Sequence, residues 1–466
     1  MIETDTNRNS ERSNSEPVSL RLGLAPDVWL ARDAGRAILI RWPRSRELKK
    51  WDRSFEVLLN QLSANGGIEI NHDLIGGHSQ ARSECLLEVL LDEGWLTISV
   101  FNGVSEKFTV FPRRQAPSRE LRSVLEPRLS RHLVLVPTSD GWVLEAPHSW
   151  CDIQFRNLAQ ARRCLEASKM SDIERQILLW CGVFVDPLDE DSQFTHRQWS
   201  SHELWFHERS RRYGREAGFG GTFWARGEFP APPLRPPGSD EVAIYFDAVD
   251  SDLIDAQSIS LNRALEDRRS IRRHNDEKPL ELSQLGEFLY RTARVRLVQE
   301  VDGVEYGSKP YPSGGSVYEI EVYLLVRHVQ DLAPGLWRYD PTEHGLVCLK
   351  KGLEDANISA LLREATHSST INTSPQVTIL MAPRFGRILW KYEQMGYAVI
   401  LKHVGVLMQT MYLVATDMGL AACAIGSGDS DLFSRATGLD PLDCTTVGEF
   451  ILGTPHPEER FQERPV

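Results

Sequence analysis

Apolar residues recur at two spacings along this chain, and the switches between them divide it. Between residues 18 and 114, short apolar runs at 19–24 and 37–41 predict strands. Trp51, Phe55, Leu58, Leu59 and Leu62 then recur at helical spacing, as do Cys85, Leu86, Val89, Leu90 and Leu91, with Gly94 closing the second helix. A hairpin follows: apolar residues over 95–101, a turn at Asn102 and Gly103, and a return over 108–111. This order predicts a winged-helix-like module over 18–114. A fainter copy occupies 115–185, with a hairpin of 132–136 and 142–146 about a turn at 139–141, then helices over 153–168 and 173–181. The segments "AILIRWPRSRELKKWDRSFEVLLNQL" and "WVLEAPHSWCDIQFRNLAQARRCLEA" share a strand, a proline turn and an amphipathic helix, which reads as a degenerate repeat.

Residues 186–250 form a linking region. Its "SHELWFHERSRRYGRE" predicts a helix, while "GEFPAPPLRPPGSD" is too proline-rich for helix or strand and is expected to be an extended connector holding the domain boundary. From 251 to 466 the pattern predicts helices over 258–267, 282–292, 359–365 and 397–420. Strands are expected over 317–326 and 377–382, with a hairpin of 336–339 and 345–349 and a closing strand in "TTVGEFILG". The fold class is therefore α+β about an antiparallel sheet. The most apolar long stretch, 397–420, carries Lys402, His403, Gln409 and Asp417 and reads as a core helix rather than a membrane span.

Composition narrows the function classes. The net charge of −12 argues against nucleic acid as the main partner, because phosphate binding needs a basic face. Seven scattered cysteines without a CxxC pair read as reduced thiols in a cytoplasmic protein, with no metal site at ligand spacing. Residues 1–17 are polar, lack a signal peptide's apolar run and are expected to form a disordered tail.

Three clusters carry candidate chemistry. Arg268, Arg269, Arg272 and Arg273 surround Ser270 where a helix ends, and four guanidiniums in six residues suit either an anion, held through bidentate bonds, or a solvated charge run. Pro312, Ser313, Gly314 and Gly315 form a tight loop before a strand, where missing side chains let backbone amides approach a flat ring. Gly426 and Gly428 in "AACAIGSGDSD" open space after the long helix, or simply close it. "GFGGTF" at 218–223 lacks a preceding strand and is set aside as a dinucleotide loop.

Together these features resemble the FMN-dependent nitroreductase superfamily, in which an RRSxR element binds the flavin phosphate and a PSxGG-like loop approaches the ring; the resemblance runs from Arg268 to Gly453. Within it, "WKYEQMGY" is similar to the azoline oxidases of ribosomal peptide biosynthesis, whose adjacent Lys-Tyr pair matches Lys391 and Tyr392. The N-terminal modules resemble the peptide-clamp domains of such pathways, and two of them ahead of an oxidase look like the cyanobactin-type thiazoline oxidases. Lys402 before His403 departs from relatives that carry an acidic residue there.

The resemblance implies FMN held by Arg268, Arg269, Ser270 and Arg272. Pro312, Ser313, Gly314 and Gly315 would approach its ring from a partner subunit of a homodimer, with Gly426 near the ligand; Gln409, a polar residue inside an apolar helix, needs a partner, either a flavin edge or an internal hydrogen bond. Lys391 is the expected base, with Tyr392 sharing or relaying the proton or simply positioning the ring, and oxygen the electron acceptor. The substrate would be an azoline in a peptide. An NAD(P)H-dependent nitroreductase and a winged-helix regulator with a flavin-sensing domain are the competing expectations.

Overall fold

A computed structural model describes residues 18–461 except 34–35, 42–43, 49–52, 65, 76–81, 119–123, 125, 148, 167–169, 212–219, 237–240 and 370–373. The expected tail at 1–17, and the end of the "SHELWFHERSRRYGRE" helix beyond Arg211, lie outside the described residues. Two compact units divide at Arg215 and Glu216, inside the linking region but ahead of its proline-rich connector.

The first unit is built on an antiparallel seven-stranded sheet. In order across it lie Ile68–Ile70, Val18–Leu24, Leu96–Asn102, Ser105–Pro112, Cys151–Phe155, Gly141–Glu145 and Val134–Thr138. Strand pairing therefore joins the segments expected as separate modules into one sheet, through Cys151–Phe155 against Ser105–Pro112. The helix expected over 153–168 is corrected. Cys151, Ile153 and Phe155 turn inward at the period of a strand, each at most 2% exposed, and the helix starts only at Leu158, where the Asn157 side chain caps the Gln160 amide.

The second unit holds an antiparallel sheet in the order Ile244–Tyr245, Gly345–Lys351, Gly335–Asp340, Ile320–Val326, Val377–Pro383, Gly448–Gly453 and Ala421–Ile425. The central strand Ile320–Val326 is buried along its whole length because helices cover both its faces. Ile320, Val322, Leu324 and Val326 pack with Leu407, Met411 and Phe288 of the helices Gly396–Asp417 and Leu282–Ala293. Tyr323 and Leu325 pack with Ile358, Leu361 and Phe433 of Ala356–Ser368 and Ser430–Thr437. The apolar helix Gly396–Asp417 is long enough to cross a membrane by composition, yet half of it lies inside this core.

Caps explain where expected boundaries move. The helix expected over 258–267 starts only at Leu261, where the Ser260 side chain accepts from the Arg263 amide, and a separate helix, Ser251–Gln257, precedes it and ends where Ser258 is extended. Asp355 likewise starts the helix Ala356–Ser368 earlier than expected, accepting from the Asn357 and Ile358 amides. The strand expected from 317 begins at Ile320, since Ser316 and Tyr318 take positive φ in the preceding turn. The proline-rich connector is described up to Pro236, its end at 237–240 lying outside the described residues, and it is pinned: Arg384 donates to the Pro233 and Leu234 carbonyls at 2.8 and 2.5 Å, and Arg387 donates to that of Pro232.

Candidate active site

Lys391 and Tyr392 follow the short helix Phe385–Leu389 and meet the glycine turn directly. Lys391 Nζ donates to the Gly315 carbonyl at 3.3 Å. Gly315 has φ +64°, and a Cβ there would collide with Lys391 Nζ and lie 2.6 Å from the Tyr392 hydroxyl, so only glycine admits both side chains. The turn and the Lys-Tyr pair that meet here belong to one chain.

Aromatic rings surround the ammonium. Nζ stands 5.0 Å from the Phe223 centroid, 5.3 Å from that of Tyr306 and 5.6 Å from that of Tyr392. Phe223 arrives from the segment set aside as a dinucleotide lookalike: Gly221 bridges Tyr392, the Phe223 amide donates to the Lys391 carbonyl at 3.1 Å, and a Cβ on Gly221 would lie 3.0 Å from Lys391 Cε. Burial, and then the nearby Arg387 guanidinium, lower the Lys391 pKa from its ordinary value. Tyr392 moves the other way, raised by burial, then by Glu319 and Tyr306. The Lys391 amine thus releases its proton more readily than an ordinary lysine, and the Tyr392 phenol less readily than an ordinary tyrosine.

Behind the turn lies a pair the sequence did not single out as one. The Gly314 amide donates to His403 Nε2 at 2.6 Å, and His403 Nδ1 stands 2.7 Å from Glu319 Oε1. Since Nε2 accepts, Nδ1 carries the proton and donates to the carboxylate. Glu319 is 0% exposed and His403 6%, whereas Lys402 faces solvent on the same helix. Only folding joins residues 84 positions apart, and a histidine in an apolar helix was the one available signal. Ser313 closes the turn by accepting from the Tyr318 amide at 3.0 Å, while Pro312 is exposed.

Further along the helix Gly396–Asp417, Tyr412 gathers the arginine cluster. Its hydroxyl bonds Ser270 Oγ at 2.9 Å and accepts from the Ala424 amide at 2.7 Å, and the Arg268 guanidinium lies 5.2 Å from its ring centroid. The four cations then divide. Arg273 pairs with Glu458 at 2.6 Å and Arg269 donates to the Glu459 carbonyl, whereas Arg268 and Arg272 form no ion pair among the described residues. Two of the four thus already have partners in the turn Pro457–Phe461. What remains, two guanidiniums and an exposed hydroxyl, is a donor set that fits a phosphate. Gly426 is exposed at the end of the strand Ala421–Ile425. Gln409, expected as a polar group inside an apolar helix, is instead exposed in this chain and has no burial to offset.

A strand-rich sheet under a long core helix, with this pair of clusters, coincides with a family match: residues 265–453 match the Nitroreductase family model. The C-terminal region thus carries a nitroreductase-like domain, which indicates an oxidoreductase of the flavin type. Among individual proteins, one of Methanocaldococcus jannaschii named as a nitroreductase is 29% identical over 181 residues, 39% of this chain and 85% of that protein. The microcin B17-processing protein McbC of Escherichia coli is 29% identical over 169 residues, 35% of this chain and 60% of McbC, so the chain spans under two thirds of that relative. Among solved structures, a chain of the E. coli microcin synthetase McbBCD complex with truncated pro-MccB17 bound is 20% identical, covers 54% of this chain and 86% of that chain, and has a TM-score of 0.35.

Proposed function

We propose that the C-terminal unit is an FMN-dependent oxidase that converts azolines in a ribosomally made peptide to azoles. The observation that carries this reading is Lys391, an amine of lowered pKa held at a glycine turn among three aromatic rings with Tyr392 beside it. Aromatising an azoline removes a proton from one ring carbon and a hydride from the next. Neutral Lys391 takes the proton, and the aromatic wall of Phe223, Tyr306 and Tyr392 keeps the heterocycle flat against it. Tyr392, held protonated, orients the ring or returns a proton to Lys391. Arg268, Ser270 and Arg272 would hold the FMN phosphate, and bound FMN supplies the acceptor for the hydride. Molecular oxygen is the terminal electron acceptor in this reading.

The likeness to McbC, named for processing microcin B17, supports a peptide substrate. We assign the first unit the role of a winged-helix-like peptide clamp. We further assign a homodimer, supported by the exposed stripe of Tyr397, Leu401, Gly405 and Gln409 at four-residue spacing on the core helix. The reading is tested by incubating the flavin-loaded protein with thiazoline peptides in air, where a loss of about two mass units marks the two hydrogens removed. Unchanged masses across several such peptides sink it. Removing residues 1–215 should leave flavin bound and weaken use of long peptides; equal use removes the clamp.

The likeness to the M. jannaschii protein favours a second reading, an NAD(P)H-dependent nitroreductase. It requires NADPH to bleach bound flavin rapidly, and it gives Lys391 no part in turnover.

A further inference from the structure

Glu319 and His403 lie behind the glycine turn, joined to it by the hydrogen bond from the Gly314 amide. That contact is specific in direction. An N–H pointing at Nε2 requires a ring nitrogen without a proton, and the buried carboxylate at Nδ1 enforces that tautomer. The Gly314 amide leads straight into Gly315, whose carbonyl receives Lys391 Nζ. Hydrogen bonds and one peptide unit therefore run without a break from Glu319 through His403, Gly314 and Gly315 to Lys391. The turn needs such support. Gly315 and Ser316 both take positive φ, and although the Ser316 and Tyr318 amides bond back to Ser313, Gly314 itself lies against His403 and Val399.

We propose that Glu319 and His403 form a positioning pair: the carboxylate fixes the imidazole with Nδ1 protonated, Nε2 anchors the Gly314 amide, and the anchored turn sets the place of the Lys391 amine. Its bearing on catalysis rests on the reading of Lys391 as the base; the anchoring itself does not. Two substitutions of similar polarity separate this role from core filling. The amide oxygen of His403→Gln extends to the Nε2 position and can still accept from Gly314, whereas the side chain of His403→Asn ends at the Nδ1 position and cannot.

The test measures Lys391 directly, on the full-length chain without flavin or peptide, by acetic anhydride labelling across pH with peptide mass spectrometry. The groups facing this amine are the Gly315 carbonyl, the Arg387 guanidinium, the Tyr306 and Tyr392 phenols and the Phe223 ring. With the turn released, water reaches the amine, and its titration moves up toward that of an ordinary lysine. His403→Asn should show this rise and His403→Gln the wild-type curve. In flavin-loaded protein, His403→Asn should lower kcat on the order of tenfold to a hundredfold with little change in KM, the scale of a base displaced by about an ångström. His403→Gln should recover most of that loss. Identical labelling curves for the two variants, shifted or not, overturn the pair. If the curves differ as expected while wild type leaves thiazoline peptides unchanged, the pair stands and the azoline reading falls.

Discussion

The two ends of the helix Gly396–Asp417 present opposite solutions to placing polar groups on an apolar core. At the His403 end, Glu319 and His403 are buried and directed by hydrogen bonds to a single outlet, the Gly314 amide. At the Tyr412 end, about 14 Å further along by helical rise, the cations are mostly exposed. There Arg269 and Arg273 already have partners while Arg268 and Arg272 stay open to an anion. Buried groups gain strength and direction from a low dielectric, so they suit chemistry at one atom. Exposed guanidiniums tolerate movement and suit grip on a flexible, charged tail.

If that contrast holds, damage at the His403 end should remove turnover and damage at the Tyr412 end should loosen cofactor. The largest effect is expected from Lys391→Ala, which should cut azoline turnover by roughly a hundredfold to ten-thousandfold, the range for a lost general base, with flavin still bound. Peptide mass spectrometry after timed incubation measures it; near-normal turnover would instead favour the NAD(P)H-dependent reading. In wild type, kcat/KM should rise with pH through the Lys391 titration, at a midpoint below the ordinary lysine value of 10.5, because burial and Arg387 favour the neutral amine. A midpoint at or above that value breaks the assignment of Lys391. Next comes Gly315→Ala. Its Cβ meets Lys391 and Tyr392 at a φ of +64°, so about 1–2 kcal/mol of backbone strain adds to a displaced amine. Thermal unfolding and turnover should both fall, and turnover more.

The same contrast governs what could be read from the chain alone. Arg268 to Arg273, Pro312 to Gly315 and the Lys391–Tyr392 pair are each contiguous, so their chemistry is visible as local clusters. The Glu319–His403 pair, the Phe223 wall and the partners Glu458 and Glu459 are contacts between distant segments, and no local pattern contains them. Apolar spacing located the core helix and the central strands. It misplaced the strand Cys151–Phe155, where alternation over five residues runs into a helical pattern and the Asn157 cap alone marks the change.

At the exposed end, Arg268→Ala and Arg272→Ala should each weaken FMN binding by roughly tenfold to a hundredfold, the worth of one hydrogen bond to a charged group. Arg273→Ala, whose guanidinium already has Glu458, should cost far less. Flavin fluorescence titration at two salt concentrations orders the three; equal losses would mean that the pairing with the C-terminal turn does not persist in solution.

A last effect, on stability rather than on turnover or cofactor grip, sharpens the buried side of the comparison. His274 follows the arginine cluster but is buried, accepts from the Gln376 amide at Nδ1 at 3.0 Å, and has its pKa pushed down to about 4 by burial, then by Arg327. The folded protein therefore holds this ring neutral, whereas the unfolded chain protonates it near the ordinary value of 6.5. Between those two values the unfolded state binds the extra proton, so stability falls as pH drops through this window. The loss is on the order of 3 kcal/mol by pH 4. His274→Asn keeps an acceptor at the Nδ1 position and removes the titration. Urea unfolding at pH 7 and pH 5 should show a loss in wild type and a smaller one in the variant. Equal losses would place the acid sensitivity elsewhere and leave His274 a packing residue.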